Sequence, residues 1–342
     1  MLYFAIFCLF RRSFMQKMIL SIIIPVYNVE KYINGTLSSI YNQQANESMF
    51  EVIVVNDGTP DNSMEIVEKY KKSHYNLTII NQHNQGLSIA RNKGFKQASG
   101  KYIWFVDSDD KIEPKSLCCL LNVLEQEQSD ILGFGLTKIS DDNSIIGFES
   151  PFLKQKYYSM YGYTYLGRSL YNKINIGVVQ RYLYRKRFLE EESLFFYPGI
   201  WYEDDQFSVR AFYFAKKIKI IDMNIYRYLI RRSGNIMSSV SMKSIYDSEK
   251  IIQSWLDFIK ENSLCYKDKT IFYDAISEYC FYIFSFRKYG LLEYNAFYSK
   301  KGKYYRKLGI ITSFFSFNYI SRRKILNFLA MLFFPKLISK LY

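Results

Sequence analysis

The first third of the chain alternates short apolar runs with segments of helical spacing. Residues 20–25 (LSIIIP) form a continuous, β-branched run closed by a proline, the pattern of a buried strand. A second run, 50–55 (FEVIVV), stops at Asn56-Asp57-Gly58; 77–80 is a shorter third, and 102–106 (YIWFV) a fourth. Between them, 30–41 carries Ile33, Leu37 and Ile40 at helical spacing, and 61–72 opens on Asp61. Residues 86–98 set Leu87, Ala90, Gly94 and Ala98 on related helix faces before Gly100 ends the pattern. Such alternation predicts an α/β fold with a parallel, doubly wound sheet through about residue 135. Farther on, 130–136 reads as another strand, 141–151 as loop, 160–230 as mixed short elements, and 245–259 and 270–289 as helices. The tail alternates basic clusters with apolar pieces at 308–320 and 325–334, neither long enough to span a bilayer.

Composition narrows the class. The 342 residues are 49% hydrophobic and 23% charged, which are globular values. Only His74 and His83 are present, which excludes a multi-histidine zinc site and disfavours a Ser-His-Asp hydrolase. Cys8, Cys118, Cys119, Cys265 and Cys280 show no metal-ligand spacing, and an unpaired set fits a reducing compartment. Net charge is +14, yet no Asp or Glu follows Glu293, so much of the excess lies in the tail. The opening residues 1–10 are apolar and precede Arg11-Arg12, the reverse of a signal peptide. A natural start at Met15 or Met18 is expected, with a short interfacial anchor as the alternative.

The chemistry gathers at strand ends. Asp107-Ser108-Asp109-Asp110 follows the fourth run directly, and ligands of open α/β sheets bind at that edge. Crowded carboxylates repel unless a cation or donors compensate, and a hard divalent metal that also holds phosphate oxygens does so. Turn-making and helix-capping are the plainer uses of the same residues. Neither a Gly-x-x-x-x-Gly-Lys loop nor a Gly-x-Gly-x-x-Gly loop is present.

In order and spacing, Ile24-Pro25-Val26-Tyr27-Asn28, Val55-Asn56-Asp57-Gly58-Thr59, the helix bearing Ala90-Arg91-Asn92, and Asp107-Ser108-Asp109-Asp110 resemble the family 2 glycosyltransferases. These are inverting enzymes of the nucleotide-sugar-binding GT-A fold, and the resemblance resumes at 196–207 and 225–236. It implies that Pro25, Val26, Tyr27 and Asp57 receive the nucleobase, with Asp57 accepting from a uracil N–H. Asp57 alternatively serves as a turn residue before Gly58. Arg91 then holds base or phosphate, or else makes an ion pair on the helix surface. Asp107 lies on the ribose side, and Asp109 binds Mn²⁺ or Mg²⁺. In Trp201-Tyr202-Glu203-Asp204-Asp205 the resemblance makes Asp204 the general base and Glu203 an acceptor-side neighbour. Asp205 leaves that register open by one position. Arg231 or Arg232 would stabilise the leaving diphosphate.

The expected division is an N-terminal extension 1–17, a GT-A domain 18–235 and a helical region 236–342 with a basic tail. Within the domain, 18–135 would serve the nucleotide and 136–235 the acceptor. The expected reaction is transfer of one sugar from a nucleotide-sugar, UDP-linked by preference, to a saccharide hydroxyl. A polyprenyl-diphosphate-linked acceptor at the cytoplasmic leaflet suits the acid-free, basic, aromatic tail, which would bind an anionic membrane surface peripherally. No nucleic-acid module accompanies that charge. The alternatives are a sugar nucleotidyltransferase, which needs no acceptor-side base, and a non-catalytic nucleotide-sugar-binding scaffold.

Overall fold

The computed structural model describes residues 18–150, 159–172, 174–231, 241–285 and 292–315. The expectations for the N-terminal extension, for Arg232 and for the tail beyond 315 lie outside them. The chain forms two compact units. The first comprises 1–150, 179–196 and 217–230; the second comprises 151–178, 197–216 and 231–342.

The first unit is built on a mixed sheet. Its strands are β1 (Leu20–Val26), β2 (Phe50–Asp57), β3 (Leu77–Gln82), β4 (Tyr102–Phe105), β5 (Lys111–Ile112), β6 (Ile131–Ile139), β7 (Ile145–Glu149), β8 (Tyr182–Arg185) and β9 (Ile218–Leu229). They run in the order β3-β2-β1-β4-β8-β6-β9-β5, with β7 added beside β6. Pairings β3–β2, β2–β1, β1–β4 and β6–β9 are parallel; β4–β8, β8–β6, β6–β7 and β9–β5 are antiparallel. All seven residues of β1 are buried, as a central strand covered on both faces requires. Helices α1 (Ile33–Tyr41), α2 (Ser63–Ser73), α3 (Leu87–Gln97) and α4 (Ser116–Gln126) connect the early strands. A Cβ on Gly94 of α3 would lie 2.4 Å from Ile23 Cγ2, so glycine lets this helix rest close on β1.

Pro25 stands in a central strand, where the missing N–H is ordinarily costly. Here the pairing of β1 with β4 ends at Ile23 and Phe105, two residues earlier. Alternation points the nitrogen of Pro25 to that same side, past the last β4 partner.

The segment 141–151, expected as loop, instead holds β7. An Asp142-centred turn reverses the chain, its carboxylate accepting from the Ser140 hydroxyl and the Ser144 N–H. Ile145, Ile146 and Phe148 are all exposed, so this edge strand lacks the one-sided alternation by which a strand is recognised.

The second unit is helical: α5 (Gly162–Asn172), α7 (Glu203–Phe214), α8 (Met242–Glu261), α9 (Tyr266–Ser285) and α10 (Leu292–Phe315), with α6 (Lys186–Glu191) belonging to the first unit. α8 buries Ile245, Ile251, Ile252, Trp255 and Ile259, the stripe of an amphipathic helix. On α10, Tyr294, Phe297, Tyr305 and Thr312 are buried while Lys300, Lys303, Tyr304, Lys307 and Ile311 are exposed. Among the described residues no helix is long and apolar enough to cross a membrane.

Candidate active site

Because β1, β2 and β4 are parallel, their carboxyl ends share one edge of the sheet. Val26, Asp57 and the Asp107–Asp110 stretch follow or close those strands. Carboxylate oxygens of Asp107, Asp109 and Asp110 lie within 4.8 Å of one another.

Each outer acid of this cluster is tied from behind. Asp107 accepts from Arg91 Nη2 at 2.9 Å and from Gln180 Nε2 at 2.6 Å. Arg91 is only 1% exposed, and its guanidinium lies 5.0 Å from the Phe196 ring centre. Gln180 is fixed in turn, its backbone carbonyl accepting from the Trp104 indole at 2.7 Å. Asp110 is buried and accepts from the Tyr226 hydroxyl and the Leu229 N–H, both at 2.7 Å. The same Tyr226 hydroxyl accepts from the Asp107 N–H at 3.2 Å. The register of β9 against β6 shifts on either side of Asn224, and Tyr226 and Leu229 lie beyond the shift. Such bulges re-aim side chains. Burial, reinforced by the charges of Asp109 and Asp107, pushes the Asp110 carboxyl well above the usual carboxylate range.

The donor set suits a hard divalent cation: three carboxylates, all oxygen ligands, in one small space. Asp110 is committed to the protein on both oxygens. Asp107 and Asp109, both partly buried, are the members that could ligate such an ion.

Asp57 is 3% exposed and holds the loop that enters α3. Its Oδ1 accepts from Gln82 Nε2 at 2.7 Å and the Gln85 N–H at 2.8 Å, and its Oδ2 from the Gly86 N–H at 2.9 Å. Oδ2 keeps one acceptor position. Tyr27 is 47% exposed beside Asn28, which sits at φ +54°. Three successive N–H groups there are taken by the loop after β2 and the first residue of α2. Asn28 donates to Thr59 Oγ1 at 2.8 Å, Val29 to Ser63 Oγ at 3.2 Å and Glu30 to Asp61 Oδ2 at 2.8 Å. Burial would raise the Asp61 carboxyl, but bonds from the Ser63 and Thr59 hydroxyls and the Glu30 and Ser63 N–H groups bring it down to about 2.

The second unit carries the other acids. Glu203 is buried at the start of α7, and Asp204 and Asp205 are partly buried. Asp205 Oδ2 accepts from the Tyr279 hydroxyl at 2.6 Å. A Cβ on Gly177 would fall 1.9 Å from Asp205 Oδ1, so only glycine leaves room for this carboxylate. Arg231 is partly buried in the same unit. Thus Pro25, Val26, Tyr27, Asp57, Arg91, Asp107 and Asp109 belong to the first unit, and Glu203, Asp204, Asp205 and Arg231 to the second.

Sequence reasoning missed Gln180, Tyr226, Thr59 and Tyr279, and took Asp61 only for a helix start. Tyr226 was visible inside the basic strand motif, but nothing local marks a tyrosine that meets residues more than 110 positions away.

Comparison with known proteins agrees with this geometry. The pattern of the family described as "Glycosyl transferase family 2" matches residues 21–192. The chain is 35% identical over 261 residues to the uncharacterized glycosyltransferase EpsJ of Bacillus subtilis, covering 74% of each. It is 32% identical over 237 residues to the poly(ribitol-phosphate) beta-N-acetylglucosaminyltransferase TarS of Staphylococcus aureus, covering 68% of this chain and 39% of that protein. The fold matches residues 1–349 of S. aureus TarS, solved with UDP-GlcNAc, at a TM-score of 0.58 and 23% identity over 77% of this chain and 81% of that one. The acidic edge, the mixed sheet and these likenesses have one conclusion: the chain belongs to glycosyl transferase family 2 and is a glycosyltransferase of the GT-A fold.

Proposed function

We propose that the enzyme transfers one sugar, with inversion, from a UDP-sugar to a hydroxyl of a surface saccharide acceptor carried on a lipid diphosphate. The observation that carries this reading is the Asp107, Asp109, Asp110 cluster at the carboxyl end of β4. Solved TarS structures hold UDP-GlcNAc or UDP, which supports a uridine donor. A relative named as a beta-transferase with an α-configured sugar nucleotide in its structure supports inversion.

Each residue has a task in this mechanism. Tyr27 offers an exposed ring for the base, and Asp57 shapes the loop that frames it while keeping an acceptor position on Oδ2. Arg91, bonded to Asp107, orients it toward the ribose. Asp109, with Asp107, would hold Mn²⁺ or Mg²⁺, which when bound neutralises the leaving diphosphate. Asp204 takes the proton of the acceptor hydroxyl, assistance worth about 10²–10⁴-fold, and Glu203 orients that acceptor. Arg231, with Arg232, adds positive charge for the diphosphate.

The exposed stripe of Lys300, Lys303, Tyr304, Lys307 and Ile311 on α10 supports peripheral attachment to an anionic cytoplasmic leaflet, where a polyprenyl-diphosphate acceptor resides. Calorimetric titration of UDP, GDP, dTDP and UDP-GlcNAc, with and without Mn²⁺, tests the donor reading. Metal-enhanced binding confined to the uridine compounds is expected; equal affinity for all three diphosphates, or none, overturns it.

A further inference from the structure

Backbone geometry at the start of α7 is unusual. Tyr202, directly before Glu203 and Asp204, lies at φ +62°, a region that bulky residues avoid. Such a conformation persists only where its surroundings over-determine it, and it clusters at functional positions.

Those surroundings are specific. The Tyr202 hydroxyl lies 2.8 Å from the Tyr282 hydroxyl, and its ring meets Tyr282 and Tyr279 edge-on at 5.8 and 6.4 Å. Tyr279 donates to Asp205, and Trp255 of α8 braces the Tyr279 ring edge-on at 5.2 Å. Two further bonds come from α8: the Trp201 N–H donates to Asp247 Oδ2 at 3.0 Å, and Gln206 Nε2 to Ser254 Oγ at 3.2 Å. Residues 201, 202, 205 and 206 are therefore each gripped by α8 or α9, and Glu203 and Asp204 stand between the grips. Burial, then the nearby Asp205 charge, pushes the Tyr279 phenol up, so it remains a donor. All of these residues lie beyond 192, outside the segment that matches the family pattern.

We propose that Tyr279 and Tyr282 of α9 are positioning residues for the acceptor-side base, splinting the first turn of α7 so that Asp204 is presented in one geometry. The helical region is then part of the catalytic apparatus rather than an appendage to it. This rests on the reading of Asp204 as the base.

The test uses the full chain and three single variants. Tyr279→Phe keeps the ring against Trp255 and deletes only the hydroxyl; Tyr282→Phe does the same toward Tyr202. Tyr266→Phe, 63% exposed on the same helix, is the control. Amide hydrogen exchange of 201–206 and UDP release from UDP-GlcNAc into water are measured on each. In Tyr279→Phe, exchange across 201–206 is expected to rise roughly tenfold. Its kcat is expected to fall about 10–100-fold, the cost of a misplaced catalytic group, with KM for UDP-GlcNAc unchanged. Tyr282→Phe follows with a smaller effect, and Tyr266→Phe matches the parent in both readouts. Unchanged exchange in Tyr279→Phe overturns the splint, and so does raised exchange with unchanged kcat. Asp204→Asn separates the two claims: parental turnover in that variant removes the base assignment, while unchanged exchange in Tyr279→Phe removes the splint whichever acid is the base.

Discussion

The two sets of acids in this enzyme draw their donors from different units. At the end of β4, Asp107 and Asp110 are anchored by a guanidinium, an amide, a phenol and a backbone N–H drawn from the sheet unit itself. At the start of α7, Asp205 accepts from the Tyr279 hydroxyl and the preceding Tyr202 meets Tyr282, both on a helix more than 70 positions later. The difference follows from what each site must do. Asp110 is a buried carboxyl beside two like charges, and only a dense shell of donors makes that tolerable. The α7 acids sit at a helix start, where the helix dipole favours negative charge, yet burial and the Glu203 charge still push the Asp205 carboxyl up against the bond from Tyr279.

Three perturbations sharpen this contrast. The largest effect is expected on the outer face of α10. Changing Lys300, Lys303 and Lys307 to Glu removes three basic residues worth roughly 1 kcal/mol each at an anionic surface. Co-sedimentation with phosphatidylglycerol vesicles should weaken on the order of 100-fold, while UDP affinity stays as it was. Unaltered vesicle binding would detach the membrane role from this helix.

Next is Tyr226→Phe. It strips one donor from buried Asp110 and one acceptor from the Asp107 N–H, at a stability cost of about 1–3 kcal/mol. Chemical denaturation measures that loss, and metal-dependent UDP binding should weaken with it. The α7 acids should be indifferent, so their amide exchange is expected to match the parent.

Smallest in its effect on the donor site is Asp61→Ala, which removes the acceptor of the Glu30 and Ser63 N–H groups and of the Thr59 and Ser63 hydroxyls; of these, the Glu30 bond is the one that ties down the loop displaying Tyr27. KM for the sugar nucleotide is expected to rise about fivefold, the worth of one such bond, with kcat unchanged. A fall in kcat at constant KM would place Asp61 in the chemistry instead.

The same contrast explains what the sequence could disclose. The strands, their parallel order and the acids at their ends were legible because apolar runs and turn residues are local signals. The family likeness was equally readable, since its motifs are contiguous. Gln180 and Tyr226 were not, because each reaches the cluster across the sheet from a distant strand or turn. Asp61 shows the intermediate case. A helix start was the obvious reading, and only the structure reveals that its second oxygen serves the neighbouring loop. β7 escaped for a different reason, since both of its faces carry exposed apolar side chains and no period stands out.

On the proposed mechanism Asp109 serves donor binding and Asp204 serves proton removal, and the two Asp→Asn variants measured side by side separate these tasks. UDP-GlcNAc affinity in Mn²⁺ and the rate of UDP release are determined for both. Asp109→Asn should lose metal-dependent affinity and turnover together. Asp204→Asn should keep parental affinity and lose about 10²–10⁴-fold in kcat. The contradicting result is Asp204→Asn that fails to bind donor and retains turnover in proportion to occupancy, beside Asp109→Asn that still binds with metal.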